Sequence, residues 1–356
     1  MKKIYVLHEY GAKSHYRALK YLCEKNNIQL KYREFRIFRD LAKSIFRMDK
    51  KLFFKQFKNI FFLINLIFSK NKKVVLGIAP YDFRLKFLKF VLRNHKIFYH
   101  TSWIKWDKSF YPKKLFVNEK LISFWEDFLK NDVLHIFAVS NYAKNELIKN
   151  LKIDNSKITV VYHSFDDEIF KFDRKKRDKT EKFRFLYVGR LTEQKGISEI
   201  LDYFSFHKEN PLTLVGNGVL TEKVKRYAED FDNINYLGFV SDQRKLAEIY
   251  NCHDFLLLNT KKIGQWEELF GIVIVEAMAC GVVPIATNHA GPREIITNEK
   301  DGFLTDENEF IKKVDEITKK IVYDEYKDIQ NNAVEKAKKF TVREISKKWG
   351  KILEEA

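Results

Sequence analysis

An alternation of short apolar runs with longer segments of helical spacing constrains this chain more than any other feature. KIYVL (3–7), VVLGIA (74–79), KIFYHT (96–101), HIFAVS (135–140) and ITVVYHS (158–164) are each followed by a polar turn and a helix-compatible stretch. FRFLYVG (183–189), PLTLVG (211–216), INYLGFV (234–240), DFLLLNT (254–260) and VVPIAT (282–287) repeat the scheme. Strands alternating with helices pair in parallel, because each crossover must travel back along a face of the sheet. Between the two sets lies DDEIFKFDRKKRDKTEK (166–182), where charges dominate and no apolar face can be drawn. A chain of 356 residues also exceeds what one core usually holds. The expected organisation is an α/β half over 1–165, a linker over 166–182 and a second α/β half over 183–338. An amphipathic helix over 339–356 closes the chain, with Val342, Ile345, Trp349 and Ile352 or Leu353 at helical spacing.

The net charge of +18 is confined to one region. Residues 1–100 hold 24 Lys and Arg against 6 Asp and Glu, whereas the other 256 residues hold 42 of each. A compositional bias would spread evenly, so the first half is expected to meet an anionic surface or an acidic substrate. Its cations are interleaved with aromatics in FRIFRDLAKSIFRMDKKLFFKQFKNIFF and DFRLKFLKFVLRNHKIF. That pattern describes interfacial helices on an anionic membrane, or else a core face backed by a solvated one. The most apolar window, FFLINLIF (61–68), falls well short of the roughly 20 residues a membrane span needs. MKKIYVLHEYG reads as a first strand, since a secretory signal needs a longer apolar run. Cys23, Cys252 and Cys280 are far apart with no CxxC, which fits a reducing compartment. The 9 histidines show no zinc-ligand spacing.

Four loops in the second half carry chemistry, because open α/β sheets bind ligands beyond the carboxyl ends of their strands. In VGRLTEQKG (188–196), Gly189 ends a strand and Arg190 and Lys195 precede the closing Gly196. Read as two fixed cations without an acid partner, they suit a diphosphate; the alternative is a solvated loop. In VGNGVL (215–220), Gly216 and Gly218 permit close backbone approach to a ligand, or form a plain turn. In YLGFVSDQRK (236–245), backbone near Val240 can meet a nucleobase edge or simply end a strand. In EELFGIVIVEAMACGVVPIA (267–286), a helix beginning near Gly271 would offer an N-terminal anion site. Glu268 precedes that helix and Glu276 lies about one and a half turns into it. Flanked by Val275 and Ala277, Glu276 either faces water by helical phase or has a ligand.

G-R-L-x3-K-G at 189–196, the G-x-G turn and E-x7-E at 268–276 closely resemble the signature of glycosyltransferase family 4, retaining enzymes of the GT-B fold. The match runs in order from Phe183 to about Leu304, and VSNYAKNEL (139–147) and VVYHSFDDEIF (160–170) look like the family's approach to the linker. The resemblance implies two Rossmann-like domains with the donor site in the cleft between them and a C-terminal helix crossing back to the first. It implies that Arg190 and Lys195 neutralise the diphosphate of a UDP- or GDP-sugar and that Glu276 holds its ribose. Glu268 and the backbone of Leu269, Phe270 and Gly271 would hold the sugar, with Gly189, Gly196, Gly216 and Val240 in the same donor site. His100 would reach the transferred sugar, and Gly11 matches the first-domain glycine loop. That loop reads YGAKSHY in place of the usual double glycine, and NHAGPREII (288–296) departs from the pattern too.

No metal or other cofactor is implied, because cations and a helix N-terminus stabilise the leaving diphosphate. The one DxD, Asp230 to Asp232, ends a helical stretch, RYAEDFDN. The family places its acceptor on the first domain. A glycan or lipid-linked acceptor of surface polysaccharide or glycolipid synthesis is therefore expected, on a cytoplasmic protein peripheral to the inner face of the membrane. The rival readings are a sugar-nucleotide epimerase on the same fold, a glycoside hydrolase using Glu268 and Glu276, and a basic polyanion-binding protein. Nucleic acid is not expected, since no recognised motif for it is present.

Overall fold

The computed structural model describes residues 1–112, 116–174, 182–264 and 267–354. Most of the charged stretch of the expected linker, 175–181, and the last two residues of the expected closing helix lie outside the described residues. The chain divides into two compact units, Met1–His163 with Ile345–Ala356, and Ser164–Glu344.

In the first unit the strands are β1 (Lys3–His8), β2 (Gln29–Glu34), β3 (Lys73–Gly77), β4 (Lys96–Thr101), β5 (Val133–Ala138) and β6 (Ile158–Val160). They form one parallel sheet in the order β2-β1-β3-β4-β5-β6. The interior strands are mostly apolar because helices cover both faces of a parallel sheet. β2, QLKYRE, escaped the sequence reading: as an edge strand it pairs only with β1 and is half-exposed, so it needs no apolar run. The helices are α1 (Arg17–Lys25), α2 (Ile37–Phe46), α3 (Lys50–Phe68), α4 (Leu85–Leu92), α5 (Glu119–Asp127) and α6 (Asn141–Leu151). Several are started by side-chain caps: Asp49 accepts from the Leu52 N–H at 3.0 Å and Ser140 from the Ala143 N–H at 3.1 Å.

The second unit repeats the plan with β7 (Phe185–Val188), β8 (Leu212–Val215), β9 (Ile234–Tyr236), β10 (Phe255–Leu258), β11 (Val283–Thr287) and β12 (Phe303–Thr305). Its sheet order is β12-β11-β10-β7-β8-β9, all parallel. The helices are α7 (Ile197–Phe206), α8 (Thr221–Asp230), α9 (Gln243–Asn251), α10 (Ile272–Ala279), α11 (Ala290–Ile295), α12 (Phe310–Lys320) and α13 (Tyr323–Ala337). Phe185, Phe204, Phe255, Ile285 and Tyr326 centre its core.

The chain then returns to the first unit through α14 (Val342–Lys348) and α15 (Lys351–Glu354). Ile345, Trp349 and Ile352 are buried among Tyr16, Leu19, Val75 and Phe137 of the first unit's core. The Trp349 ring lies 4.3 Å from Phe137, and Lys73 Nζ donates to the Ile352 carbonyl at 2.7 Å. These are two GT-B-like Rossmann units with a helix crossing back.

Both sheets reverse their order beside the first strand: β2 and β3 flank β1, and β8 and β10 flank β7. At such a switch point the two outgoing loops diverge and leave a crevice at the carboxyl ends of the strands.

Candidate functional site

In the second unit the chain leaves β7 through Gly189–Gly196. The buried Tyr187 hydroxyl donates to the Arg190 carbonyl at 2.7 Å and fixes the turn. A Cβ on Gly196, whose φ is +63°, would lie 2.5 Å from the Asn259 carbonyl, so this loop rests on the end of β10. A Cβ on Gly216 would come 1.8 Å from the Gly189 oxygen, and the Gly216 N–H donates to Gly238 at 2.9 Å. The G-x-G turn is therefore a backbone-to-backbone seat that ties the Arg190 loop to the loop carrying the half-buried Val240.

The reading of two cations without an acid partner needs correction. Lys195 is buried, with Nζ 2.5 Å from Glu268 Oε2 and 3.3 Å from Thr260 Oγ1. The partner stands 73 residues away in sequence, and only the adjacency of β7 and β10 brings the two loops together. Arg190 is exposed and has no ion pair among the described residues. Burial raises the Tyr187 hydroxyl far above its usual value, Glu268 raises it further and Arg190 opposes, so both charges act on one ring.

Glu268 is held by a segment that the sequence reading left aside. Its N–H donates to His289 Nδ1 at 3.2 Å, and its carbonyl accepts from the Gly291 N–H at 2.9 Å. His289 Nε2 lies 2.9 Å from Glu307 Oε1, which assigns the ring proton to that nitrogen. A Cβ on Gly291 would sit 2.3 Å from the Phe270 nitrogen, so NHAGPREII braces the loop ahead of α10. Its departure from the usual pattern was the available signal for His289.

α10 starts after Gly271, at φ +77°, and its first N–H groups lack intrahelical acceptors. Glu276 is only 6% exposed, which removes the solvent-facing alternative. The buried Tyr250 hydroxyl is raised well above its usual value, first by burial and then by the neighbouring Glu276 and Cys280. Leu269 is half-buried, whereas Phe270 is buried with its ring 6.0 Å from Phe340, so Phe270 offers a ligand its backbone alone. Asp230 ends α8 and Asp232 lies in the turn after it.

In the first unit a cavity of about 160 Å³ opens at the β1/β3 switch point, lined by His8, Glu9, His15, Gly77, His100 and Thr101. His100 is buried, and its Nε2 has no hydrogen-bond partner among the described residues. Burial, then the neighbouring His163, His15 and His8, push it well below its usual value. Burial also lowers His8 to about 4, with His15 adding and Glu9 opposing. His163 falls to about 3, and its ring lies 4.6 Å from His15. His8, His15 and His100 thus line the cavity with His163 packed against His15, a cluster the sequence hides because His100 and His163 are far from the other two along the chain. Gly11 does not line it. That glycine, at φ +94° with Glu34 Oε1 2.8 Å from where its Cβ would be, belongs to a separate cavity with Lys13 and Arg33.

Residues 168–340 match the family of glycosyl transferases group 1, and residues 30–169 match glycosyltransferase family 4. The chain belongs to this family. It is 29% identical to an uncharacterised glycosyltransferase of Methanocaldococcus jannaschii, over 62% of this chain and 59% of that protein. It is also 29% identical to the UDP-Gal:α-D-GlcNAc-diphosphoundecaprenol α-1,3-galactosyltransferase of Escherichia coli, over 53% of this chain and 52% of that one. The matched segment is thus little more than half the length of these relatives. The family 4 chain superposes on Anabaena HepE, solved in complex with UDP, with a TM-score of 0.69 and 17% identity over the whole of both chains. With the sucrose-phosphate synthase of Thermosynechococcus elongatus the TM-score is 0.72 at 16% identity, over 100% of this chain and 99% of the other. Likeness at this level of identity is likeness of fold.

Proposed function

We propose that the chain is a retaining, metal-independent glycosyltransferase that moves a sugar from a UDP- or GDP-sugar to a glycan or lipid-linked acceptor in surface polysaccharide or glycolipid synthesis. The observation that carries this reading is the Lys195–Glu268 pair beside exposed Arg190 and the start of α10. A donor diphosphate competes with Glu268 for Lys195 and finds Arg190 uncommitted. When the anomeric bond breaks, negative charge grows on the departing diphosphate, and Arg190, Lys195 once released from Glu268, and the α10 N–H groups stabilise it. They supply the charge compensation that a divalent ion supplies elsewhere. Glu268, once Lys195 turns to the phosphate, accepts hydrogen bonds from the sugar hydroxyls, with backbone groups of Leu269 to Gly271 beside it. Glu276 takes the ribose diol, and the loops of Gly189, Gly196, Gly216 and Val240, held together by their glycine seats, border the nucleotide. His100, whose Nε2 has no hydrogen-bond partner among the described residues, hydrogen-bonds a hydroxyl of the transferred sugar. The acceptor hydroxyl attacks the face from which the diphosphate leaves and passes its proton to a departing phosphate oxygen, which retains configuration.

UDP is supported as the nucleotide by the UDP complex of HepE and by the UDP-galactose donor of the Escherichia coli relative, whose acceptor is a diphosphoundecaprenol. An anionic membrane partner, on the cytoplasmic face, is supported by α3. Phe54, Phe57, Phe61, Ile64 and Phe68 recur along it every three or four residues and are 63, 41, 68, 45 and 85% exposed, while its buried face holds Gln56, Asn59, Phe62, Leu63 and Leu66. A core role for these aromatics does not fit those exposures. Among the described residues no helix is long and apolar enough to cross a membrane.

The test is to incubate the protein with UDP- and GDP-sugars, with and without a polyprenyl-diphosphate-linked sugar. Nucleotide release that requires the acceptor, with a product of retained anomeric configuration by NMR, is expected. An epimerised sugar formed without acceptor would move the assignment to an epimerase.

A further inference from the structure

A second cavity of the first unit, about 660 Å³, lies beyond the carboxyl end of edge strand β2, between it and the first half of α3. Lys13, Arg33, Lys51, Lys55 and Lys58 line it, with Glu34 as its one carboxylate. Glu34 is buried and already committed: Lys55 Nζ lies 2.6 Å from its Oε1. Buried Asn59 accepts from the Glu34 N–H at 3.3 Å and donates to Gln56 Oε1 at 3.0 Å, so the floor is polar, while Gln56 Nε2 and Arg33 Nε have no hydrogen-bond partner among the described residues. Lys51 and Lys58 have no ion pair among the described residues. The cavity therefore presents surplus positive charge over a neutral floor, which an oxyanion of charge two or more would complement.

Its position says what carries that oxyanion. Phe54 lines the cavity and is also the first member of the exposed aromatic row on α3. A ligand with its charged head among Lys13, Arg33, Lys51 and Lys58 can lay an apolar tail along Phe57, Phe61 and Phe68, which continue the row from Phe54. A water-soluble anion would leave that row unused. We propose that this cavity binds the phosphate-bearing head of a membrane lipid, and that the head is the diphosphate of the lipid-linked acceptor. The assignment rests on the transferase reading for its purpose, and its test requires no turnover.

The probe is neutral phosphatidylcholine vesicles carrying polyprenyl diphosphate, with saturating UDP to occupy the second unit, and binding is read by flotation. Lys51→Gln with Lys58→Gln is compared with Arg39→Gln with Lys43→Gln, two exposed cations of α2 outside the cavity. Loss of two surface charges near a membrane is worth on the order of thirtyfold, and the cavity pair is expected to lose that much while the α2 pair loses far less. Replacing polyprenyl diphosphate by phosphatidylglycerol at equal charge separates the sources. A smaller dependence on Lys51 and Lys58 there assigns the cavity to the diphosphate acceptor, whereas an undiminished dependence assigns it to phospholipid heads and overturns the acceptor identity. Equal losses for the two double variants, or none, would overturn the site, since the cations would then act as general surface charge. Should transfer fail while the cavity variants behave as expected, the lipid site stands and the enzymatic reading falls.

Discussion

The Lys195–Glu268 pair sets up an opposition between binding and transfer. If the carboxylate competes with the donor diphosphate for the ammonium, Glu268→Gln should bind free UDP more tightly, by up to about tenfold, while sugar transfer falls. Titration calorimetry beside a transfer assay checks both signs. The same change leaves Lys195 buried without its charge partner, at a cost of about 1–3 kcal/mol in urea denaturation. The histidine cavity makes a separate prediction. His8 and His163 are held at about 4 and about 3, below the unfolded value near 6.5, so the unfolded chain takes up protons first. Stability is fully present above pH 6.5 and is lost as pH falls towards 4, with a slope approaching about 1.4 kcal/mol per pH unit for each histidine. Urea melts at pH 7.5 and 5 read this. The motif residues of the second unit were legible because glycines and charges at fixed spacing mark loops. The pairing of Lys195 with Glu268, the brace from His289 and the histidine cluster were not, because each depends on which strands become neighbours.

Among the elements, α3 and the closing helices respond in opposite ways to substitution. Phe61→Ser with Phe68→Ser alters exposed positions, so stability should change by less than about 0.5 kcal/mol for each, while binding to anionic vesicles drops. Trp349→Ala removes a fully buried ring from the first unit's core and should cost about 3–5 kcal/mol, seen as an earlier unfolding transition. Were the aromatic row of α3 a core face, its variants would behave like Trp349→Ala. Strands buried on both faces could be read from the sequence as apolar runs. The edge strand β2 carries charges on its open side, and β12 is only three residues long, so neither left such a mark. Helical spacing on α3 was legible too, but both of its faces carry apolar residues, and packing against α2, α4 and β2 decides which is buried.

At the scale of the whole molecule, the two units share a plan and differ in charge, as the sequence already indicated. The excess of basic residues lies in the first hundred, on the unit with the exposed aromatic row, and the other unit carries the loops proposed to bind the donor. Vesicle binding should therefore weaken steeply with salt, while UDP binding, which uses a few partly buried charges, should weaken much less. The most direct test of the account is calorimetric titration of UDP into the protein, the Arg190→Ala variant and the Glu276→Gln variant, each shown to be folded. The account predicts one UDP site in the parent protein and a loss of at least about tenfold in affinity in each variant. UDP bound equally well by all three would contradict it, because the diphosphate and ribose would then be held elsewhere.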